Sequence, residues 1–344
     1  MLESQIPIQN LYFLLCYAWN HLKQGELVDV SNVPSTELAD LFAVVLCGGI
    51  EHLARRGLEQ AYEPHEDDLP GVRGRVDVLK SGRRFLLLHG RAACKFDDLT
   101  ANTLPNQIIK STLKVLDQFS TLHGDIRKRV RQLRQSLPGV EEKRITSHSF
   151  RRVQLHSNNQ FYRFLISVCK LIHSSALVDP TSGSYRFRDF VRDERTMAKV
   201  FQDFLYNFIR LEIPTWRVKR EHIAWKATST SDPGFLLLPR METDISLRRG
   251  SHHVIIDTKY YQRTLSDFYG SEKIHSGNLY QLMSYLTNTA VRDGDLLSGM
   301  LVYPQVDEPV NETYRIQGFD VTVCTVNLNQ RWQAVYSEIT GLLR

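Results

Sequence analysis

The chain has few cysteines and they are scattered. Cys16, Cys47, Cys94, Cys169 and Cys324 make an odd number, and no two stand in a C-x-x-C spacing. Most lie in apolar surroundings such as Leu14-Leu15-Cys16 and Val45-Leu46-Cys47. That excludes a disulfide framework or a zinc knuckle and predicts reduced, buried thiols in a cytoplasmic protein. No apolar run approaches the ~20 residues of a membrane span, so no membrane is expected as a partner. The start, Met1-Leu2-Glu3-Ser4-Gln5, has no basic stretch of the kind that opens a secretory signal. There is no G-x-x-x-x-G-K-[ST] and no Gly-Lys pair at all, which excludes P-loop chemistry on this chain. H-E-x-x-H and G-x-S-x-G are also absent. No low-complexity tract and no internal repeat is visible.

What is present is an ordinary globular composition: 344 residues, 42% hydrophobic and 24% charged, with a net charge of +5. The length predicts two domains. Charge is uneven: residues 1–100 sum to −4, 101–220 to +12 and 221–344 to −3. A basic middle fits either a polyanion-binding face or several ordinary solvated helix faces.

Periodicity predicts helices at about 8–22, 35–56, 103–121, 125–136 and 158–177. The helix at 125–136 carries Arg127, Lys128, Arg129, Arg131 and Arg134. Between 58 and 90 the period changes. Gly71-Val72-Arg73-Gly74-Arg75-Val76-Asp77-Val78 and Phe85-Leu86-Leu87-Leu88, set among turn residues, predict a β-rich hairpin region. Asp179-Pro180-Thr181-Ser182-Gly183-Ser184 is the best central loop. The domain border is drawn at 157/158, giving domains 1–157 and 158–344. The second half reads as a helix capped by Asp193-Glu194, strands at 216–226, 235–247 and 253–261, a helix at 276–289, strands at 299–304 and 319–328, and a last helix at 331–343. The expected fold is mixed α/β: an N-terminal α+β domain, then a C-terminal sheet flanked by helices.

One segment carries chemistry. Met241-Glu242-Thr243-Asp244-Ile245 is followed by a turn at Arg249-Gly250 and then by Val254-Ile255-Ile256-Asp257-Thr258-Lys259-Tyr260. Asp257 and Lys259 are two apart, so on a strand they share a face. A hairpin would bring Asp244 alongside. Two carboxylates and a lysine at one point of a sheet suit metal-dependent phosphodiester hydrolysis. Asp244 and Asp257, with the carbonyl of Thr258, would hold Mg²⁺, a hard cation that prefers oxygen. Lys259 would orient the attacking water or offset charge developing on the phosphate. Spacing alone is weak: Glu141-Glu142-Lys143 also fits [DE]-x-K, but it follows a Pro-Gly turn with no apolar strand. In the following helix Gln281 and Tyr285 are i, i+4 and share a face, either toward the metal site or as incidental neighbours of a packed stripe of Leu279, Leu282, Met283 and Leu286. His252 and His253, being adjacent, make a poor joint metal site. His89, His173 and His275 are isolated.

The strand pair and helix resemble the PD-(D/E)XK nuclease superfamily, including the Q-x-x-x-Y helix of its RecB-like branch. The resemblance extends over nearly the whole length to the McrC family, the nuclease subunits of McrBC modification-dependent restriction systems. It is carried, in order, by Ile6-Pro7-Ile8-Gln9-Asn10-Leu11-Tyr12, Tyr17-Ala18-Trp19, Arg55-Arg56-Gly57-Leu58, Pro70-Gly71-Val72-Arg73-Gly74-Arg75, Phe96-Asp97-Asp98-Leu99, Asn106-Gln107-Ile108-Ile109-Lys110, Tyr185-Arg186-Phe187, Leu238-Pro239-Arg240-Met241-Glu242-Thr243-Asp244, Asp257-Thr258-Lys259-Tyr260-Tyr261 and Asn278-Leu279-Tyr280-Gln281. It implies a catalytic triple of Asp244, Asp257 and Lys259. It also implies a partner, the McrB-type AAA+ GTPase hexamer, which binds the GTP and recognises modified cytosine in double-stranded DNA. The N-terminal half would dock on the ring and the C-terminal half would cut. Many superfamily members carry a metal-supporting Glu on the helix before the sheet. This chain has Gln202 there, so Glu242, on the strand parity of Asp244, is the supporting carboxylate expected instead. Arg73, Arg75, Arg83 and Arg84 either project into the partner ring or are solvated arginines of a surface hairpin. The rival readings are a stand-alone RecB-like nuclease and a non-catalytic activator of an AAA+ ring.

Overall fold

The computed structural model describes residues 6–30, 37–155, 159–178, 185–188, 191, 193–261, 266–268, 271–291, 293–306 and 308–344. The chain divides into two compact units, Leu27–Arg188 and a composite of Met1–Glu26 with Asp189–Arg344. No helix among the described residues is long and apolar enough to cross a membrane.

The chain opens with α1 (Ile8–Ala18) and the single turn α2 (Leu22–Gly25), both in the composite unit. The Leu27–Arg188 unit then begins with α3 (Leu38–Arg56), which stops where Gly57 takes φ +94. The predicted loop 179–184 lies outside the described residues. A ribbon follows, made of β1 (Ala61–Leu69) and β3 (Ala92–Thr100), paired antiparallel from Ala61↔Thr100 to Leu69↔Ala92. The insert between them holds β2 (Arg75–Val76), α4 (Val78–Arg83) and a 3-10 turn at Leu86–His89. The β-rich region expected at 58–90 thus holds β1 and β2, but the rest of 71–78 and all of 85–88 are not strand. Asp77 accepts from the Lys80 amide and caps α4, so the Val78 end of that stretch turns into helix. Phe85, at φ +53, breaks the extended run before Leu86.

Four helices build the core of this unit: α5 (Leu104–Asp117), α6 (Gly124–Gln135) and α8 (Gln160–Ser175) with α3, beside the short α7 (Ser147–Arg152). The strand pair β4 (Ala176–Val178) and β5 (Tyr185–Phe187) closes it. Phe164, Leu165, Val168 and Ile172 of α8 are buried, and Gly49 of α3 leaves no room for a Cβ against Leu165. The border expected at 157/158 thus falls inside this unit, because the apolar stripe of α8 is spent on α3 and α5.

In the composite unit α9 (Glu194–Glu212), capped by Asp193, precedes a mixed six-stranded sheet in the order β14-β15-β13-β10-β9-β6. Its members are β6 (Arg217–Lys219), β9 (Ile245–Arg249), β10 (His252–Thr258), β13 (Leu296–Pro304), β14 (Asn311–Ile316) and β15 (Phe319–Val326). The small pairs β7 (His222–Ile223) with β8 (Met241–Glu242), and β11 (Ser266–Phe268) with β12 (Ser271–Lys273), are additional. Strands β10, β13 and β15 run parallel. Between them lie α10 (Ser276–Asn288) and, at the end, α11 (Trp332–Leu342).

Alternation splits the sheet residues between two cores. Ile245, Leu247, Ile256 and Val302 face α9, α1 and α11. Ile255, Leu301, Val321 and Val323 face Leu282 and Leu286 of α10. Gly299 of β13 lets α10 close down, since a Cβ there would stand 2.9 Å from Leu286 and 3.0 Å from Leu282. Helix α1 belongs here and not with an N-terminal domain. The Tyr17 ring packs 5.8 Å from Phe204, 5.2 Å from Phe208 and 5.7 Å from Trp332. Its hydroxyl donates to Glu212 at 2.8 Å. Asn10 donates to the carbonyls of Leu328 (2.8 Å) and Gln330 (2.6 Å).

Candidate active site

The expected hairpin is present. Strands β9 and β10 pair antiparallel across a turn in which Gly250 takes φ +58. The ladder ends at Ile245↔Ile256, and one further step sets Asp244 opposite Asp257. Asp244 itself sits in a bend just ahead of β9, not on a strand. Its orientation comes from three donors. Gln202 Nε2 of α9 reaches Oδ1 at 2.8 Å, while the Thr258 amide (2.8 Å) and the Thr258 hydroxyl (2.9 Å) reach Oδ2. The carboxylate is thus clamped between a helix and the end of β10.

Asp257 is fully buried. Lys259 Nζ lies 2.8 Å from its Oδ2. Beyond that ion pair neither oxygen accepts a hydrogen bond among the described residues. Burial pushes the Asp257 carboxyl up to about 6; Lys259 pulls it down, and the nearby Asp244 charge adds to the rise. The Lys259 amide still bonds the Val302 carbonyl at 3.0 Å. Extended alternation therefore continues past Thr258 and keeps Asp257 and Lys259 on one side. Burial disfavours the Lys259 ammonium, but Asp257 and Asp244 outweigh it and raise its pKa, so the group stays charged.

Helix α10 completes the cluster. Lys259 Nζ donates to Gln281 Oε1 at 3.1 Å, and Gln281 Nε2 donates to Tyr285 Oη at 2.7 Å. The structure therefore brings together Asp244, Asp257, Thr258, Lys259, Gln281 and Tyr285. It does not bring Glu242. That residue is exposed on β8 opposite His222. The strand breaks at Thr243, so the parity that would align Glu242 with Asp244 is lost. Sequence reasoning missed the tie from Gln202 to Asp244 and the use of the Thr258 amide and hydroxyl to hold it. The i, i+3, i+7 apolar spacing of Phe201, Phe204 and Phe208 orients α9, and it was the available signal for where Gln202 would face.

Among the described residues no group of three or more His, Cys, Asp or Glu side chains is placed to hold a metal. A buried carboxylate whose one partner is the Lys259 ammonium, beside a second carboxylate, fits a hard divalent ion that keeps several of its waters. It does not fit a soft metal that needs nitrogen or sulfur. His253 is buried on Ser246, and His173, held at about 4 by burial, lies 3.0 Å from the Thr112 hydroxyl. All five cysteines are buried and free.

The other cationic groups divide sharply. In α6, Arg129 pairs with Glu51 at 2.7 Å, Arg131 with Asp117 at 2.7 Å and Lys128 with Asp125 at 3.1 Å. Arg134 pairs with Glu142, and Arg127 caps the carbonyls of Phe119 and Leu122. The cations of α6 are thus engaged within their own unit. In the ribbon, Arg73 pairs with Asp98 and lies 4.3 Å over Phe96, and Arg84 pairs with Asp68 at 3.1 Å. Arg75 and Arg83 are exposed without an acidic partner among the described residues. Around them Val72, Val78, Leu79, Phe85, Leu87 and Leu88 are exposed, Leu88 by 81%.

Comparison with known proteins adds an independent line. A family model described as "McrBC 5-methylcytosine restriction system component" matches residues 5–304. The chain is 41% identical over 342 residues to the type IV methyl-directed restriction enzyme EcoKMcrBC of Escherichia coli K12, covering 99% of this chain and 98% of that protein. Among solved structures it matches, with a TM-score of 0.66 and 15% identity, a chain of the half-complex of Thermococcus gammatolerans McrB AAA+ hexamers with bound McrC. The match covers 98% of this chain and 76% of that one, and it speaks for the fold.

Proposed function

The chain belongs to the McrBC 5-methylcytosine restriction family, and from that we propose that it is the DNA-cutting subunit of a GTP-dependent, methylation-directed restriction complex working in the cytoplasm. The observation that carries this is the cluster of Asp244, Asp257 and Lys259 at the end of β10, the region of an open α/β sheet where ligands bind. Asp244 and Asp257, with the Thr258 carbonyl, would hold Mg²⁺. Bound there, the ion supplies an acidified water and polarises the phosphate.

The remaining roles belong to the chain. Asp244 is held by Gln202 and Thr258, so its free lone pairs are pre-aimed. Lys259 stays protonated beside Asp257 and offers a fixed positive charge to the non-bridging oxygens as negative charge grows on them. Gln281 limits where that ammonium can move, and Tyr285 fixes the Gln281 amide.

Without a P-loop, the chain needs a partner for nucleotide turnover, and an AAA+ GTPase ring of the McrB kind fits. The β1–β3 ribbon supports docking there, because its tip exposes large apolar side chains beside the unpaired Arg75 and Arg83. Recognition of methylated cytosine in double-stranded DNA is assigned to that partner.

The test is co-purification with the GTPase, followed by cleavage of methylated and unmethylated DNA with GTP and Mg²⁺. GTP-dependent cutting of methylated DNA alone, lost in Asp257→Asn while GTPase stimulation persists, is the expected result. Cutting without the partner would favour a stand-alone nuclease. Stimulation with no cutting under any condition would leave only a ring activator.

A further inference from the structure

The sheet face that bears Asp257 carries a second group of side chains. Register pairs Arg217 with Arg248 and Lys219 with Ser246 across β6 and β9. It pairs Arg248 with His253 and Ser246 with Ile255 across β9 and β10. Residues directly opposite share a face, and alternation carries that face from His253 through Ile255 to Asp257. Arg217, Lys219 and Arg248 are therefore on the Asp257 side of the sheet. They line a cavity of about 500 Å³, walled beyond the end of α10 by Ala290.

Its floor is internally satisfied. His253 is 3% exposed, and its Nε2 lies 2.9 Å from Ser246 Oγ. That hydroxyl donates to Glu221 Oε2 at 2.9 Å, and Arg248 reaches the same oxygen at 3.4 Å. Burial, then the Arg248 charge, lowers the His253 pKa and keeps the ring neutral. The cavity thus holds three fixed cations against one carboxylate, already engaged. Arg217 and Lys219 are exposed and, among the described residues, have no acidic partner. This is the reverse of α6, where the cations are paired internally.

Resting on the nuclease reading above, we propose that this cavity binds the phosphodiester backbone of the DNA strand being cut. Lys219 lies two ladder steps back from Asp257 and two strands across; Arg217 lies four steps back. At ~3.3 Å per residue and ~4.8 Å per strand, these are about 12 and 16 Å from the reacting position. At ~3.4 Å of rise per nucleotide, that is about three to five nucleotides from the scissile phosphate.

The test is metal-free binding of a fluorescent DNA duplex of about thirty base pairs by the full chain in EDTA, over a range of salt. In Arg217→Ala/Lys219→Ala the slope of log affinity against log salt should fall by about 1.8, and binding near 0.1 M salt should weaken by about 60-fold. Arg217→Lys/Lys219→Arg should keep the slope. The control Arg315→Ala/Arg331→Ala, away from this face, should keep it too. An unchanged slope in the double alanine variant, an equal loss in the control, or no binding by the unaltered chain at low salt overturns the proposal. Because no metal is present, those results stand whether or not the complex cuts DNA. Conversely, a complex that never cuts removes the nuclease reading even where the slope falls as expected.

Discussion

Gln202 Nε2 donates to Asp244 Oδ1 at 2.8 Å, joining the middle of α9 to the bend that launches β9. A neutral amide is the one uncharged group of that length able to donate there. Gln202→Glu replaces the donor with a second carboxylate facing Asp244. The metal-free protein should lose about 2 kcal/mol, the scale of a lost hydrogen bond to a charged group with added repulsion. Saturating Mg²⁺ should return part of it. Urea unfolding with and without Mg²⁺ measures both. An unaltered midpoint, or one indifferent to Mg²⁺, would count against a metal at Asp244.

The Asp257 carboxyl, held at about 6 against an ordinary 3.8, makes stability depend on pH in a defined direction. Its folded pKa is raised, so between about pH 4 and 6 the folded chain binds more protons than the unfolded one. Stability from this group is full below about pH 4 and is lost as pH rises through 6. The loss is about 3 kcal/mol in metal-free protein. Asp257→Asn should flatten that stretch of the stability profile. Protons also compete with the metal, so the Mg²⁺ needed for half-maximal cleavage should rise about tenfold per pH unit below 6 and level off above it.

Lys259 keeps its charge because Asp257 and Asp244 outweigh its burial. Lys259→Met should lower cleavage by about 10²–10³-fold, the scale of removing one preorganised electrostatic group, and leave GTPase stimulation intact. Gln281→Ala, which frees the ammonium without removing it, should cost about tenfold. Tyr285→Phe leaves the Gln281 amide one partner short and should cost about 1 kcal/mol of stability. A Gln281→Ala variant as inactive as Lys259→Met would mean that Gln281 does more than position the lysine.

Much of this site was legible because it is local. Val254-Ile255-Ile256 marks a buried strand, Arg249-Gly250 marks the turn, and alternation places Lys259 beside Asp257. What was not legible depends on distant packing or on partners far along the chain. The β1 strand, Ala61-Tyr62-Glu63-Pro64-His65-Glu66-Asp67-Asp68-Leu69, is exposed over most of its length, so it carries no apolar alternation to read. Helix α1 joins the C-terminal unit because Tyr17 finds Phe204, Phe208 and Trp332. The basic run at 125–136 looked available to a polyanion, yet its partners Glu51, Asp117 and Glu142 occupy it. Glu242 was expected beside Asp244 on parity grounds that the break at Thr243 removes.

The same distinction between paired and unpaired cations separates the four ribbon arginines. Arg73 and Arg84 are tied to Asp98 and Asp68, and Arg73 also covers Phe96. Their removal should act on the ribbon itself, at less than about 1 kcal/mol for such exposed pairs. Among the described residues Arg75 and Arg83 have no acidic partner to lose. Arg75→Glu/Arg83→Glu should leave thermal stability unchanged while weakening stimulation of the partner GTPase at least about tenfold, the scale of misplacing charge at an interface. Stimulation measured against ribbon-variant concentration separates weaker docking, which excess chain overcomes, from a catalytic contribution, which it does not. Full stimulation by Arg75→Glu/Arg83→Glu, with Leu79→Asp/Leu88→Asp equally silent, would move the docking surface away from the ribbon.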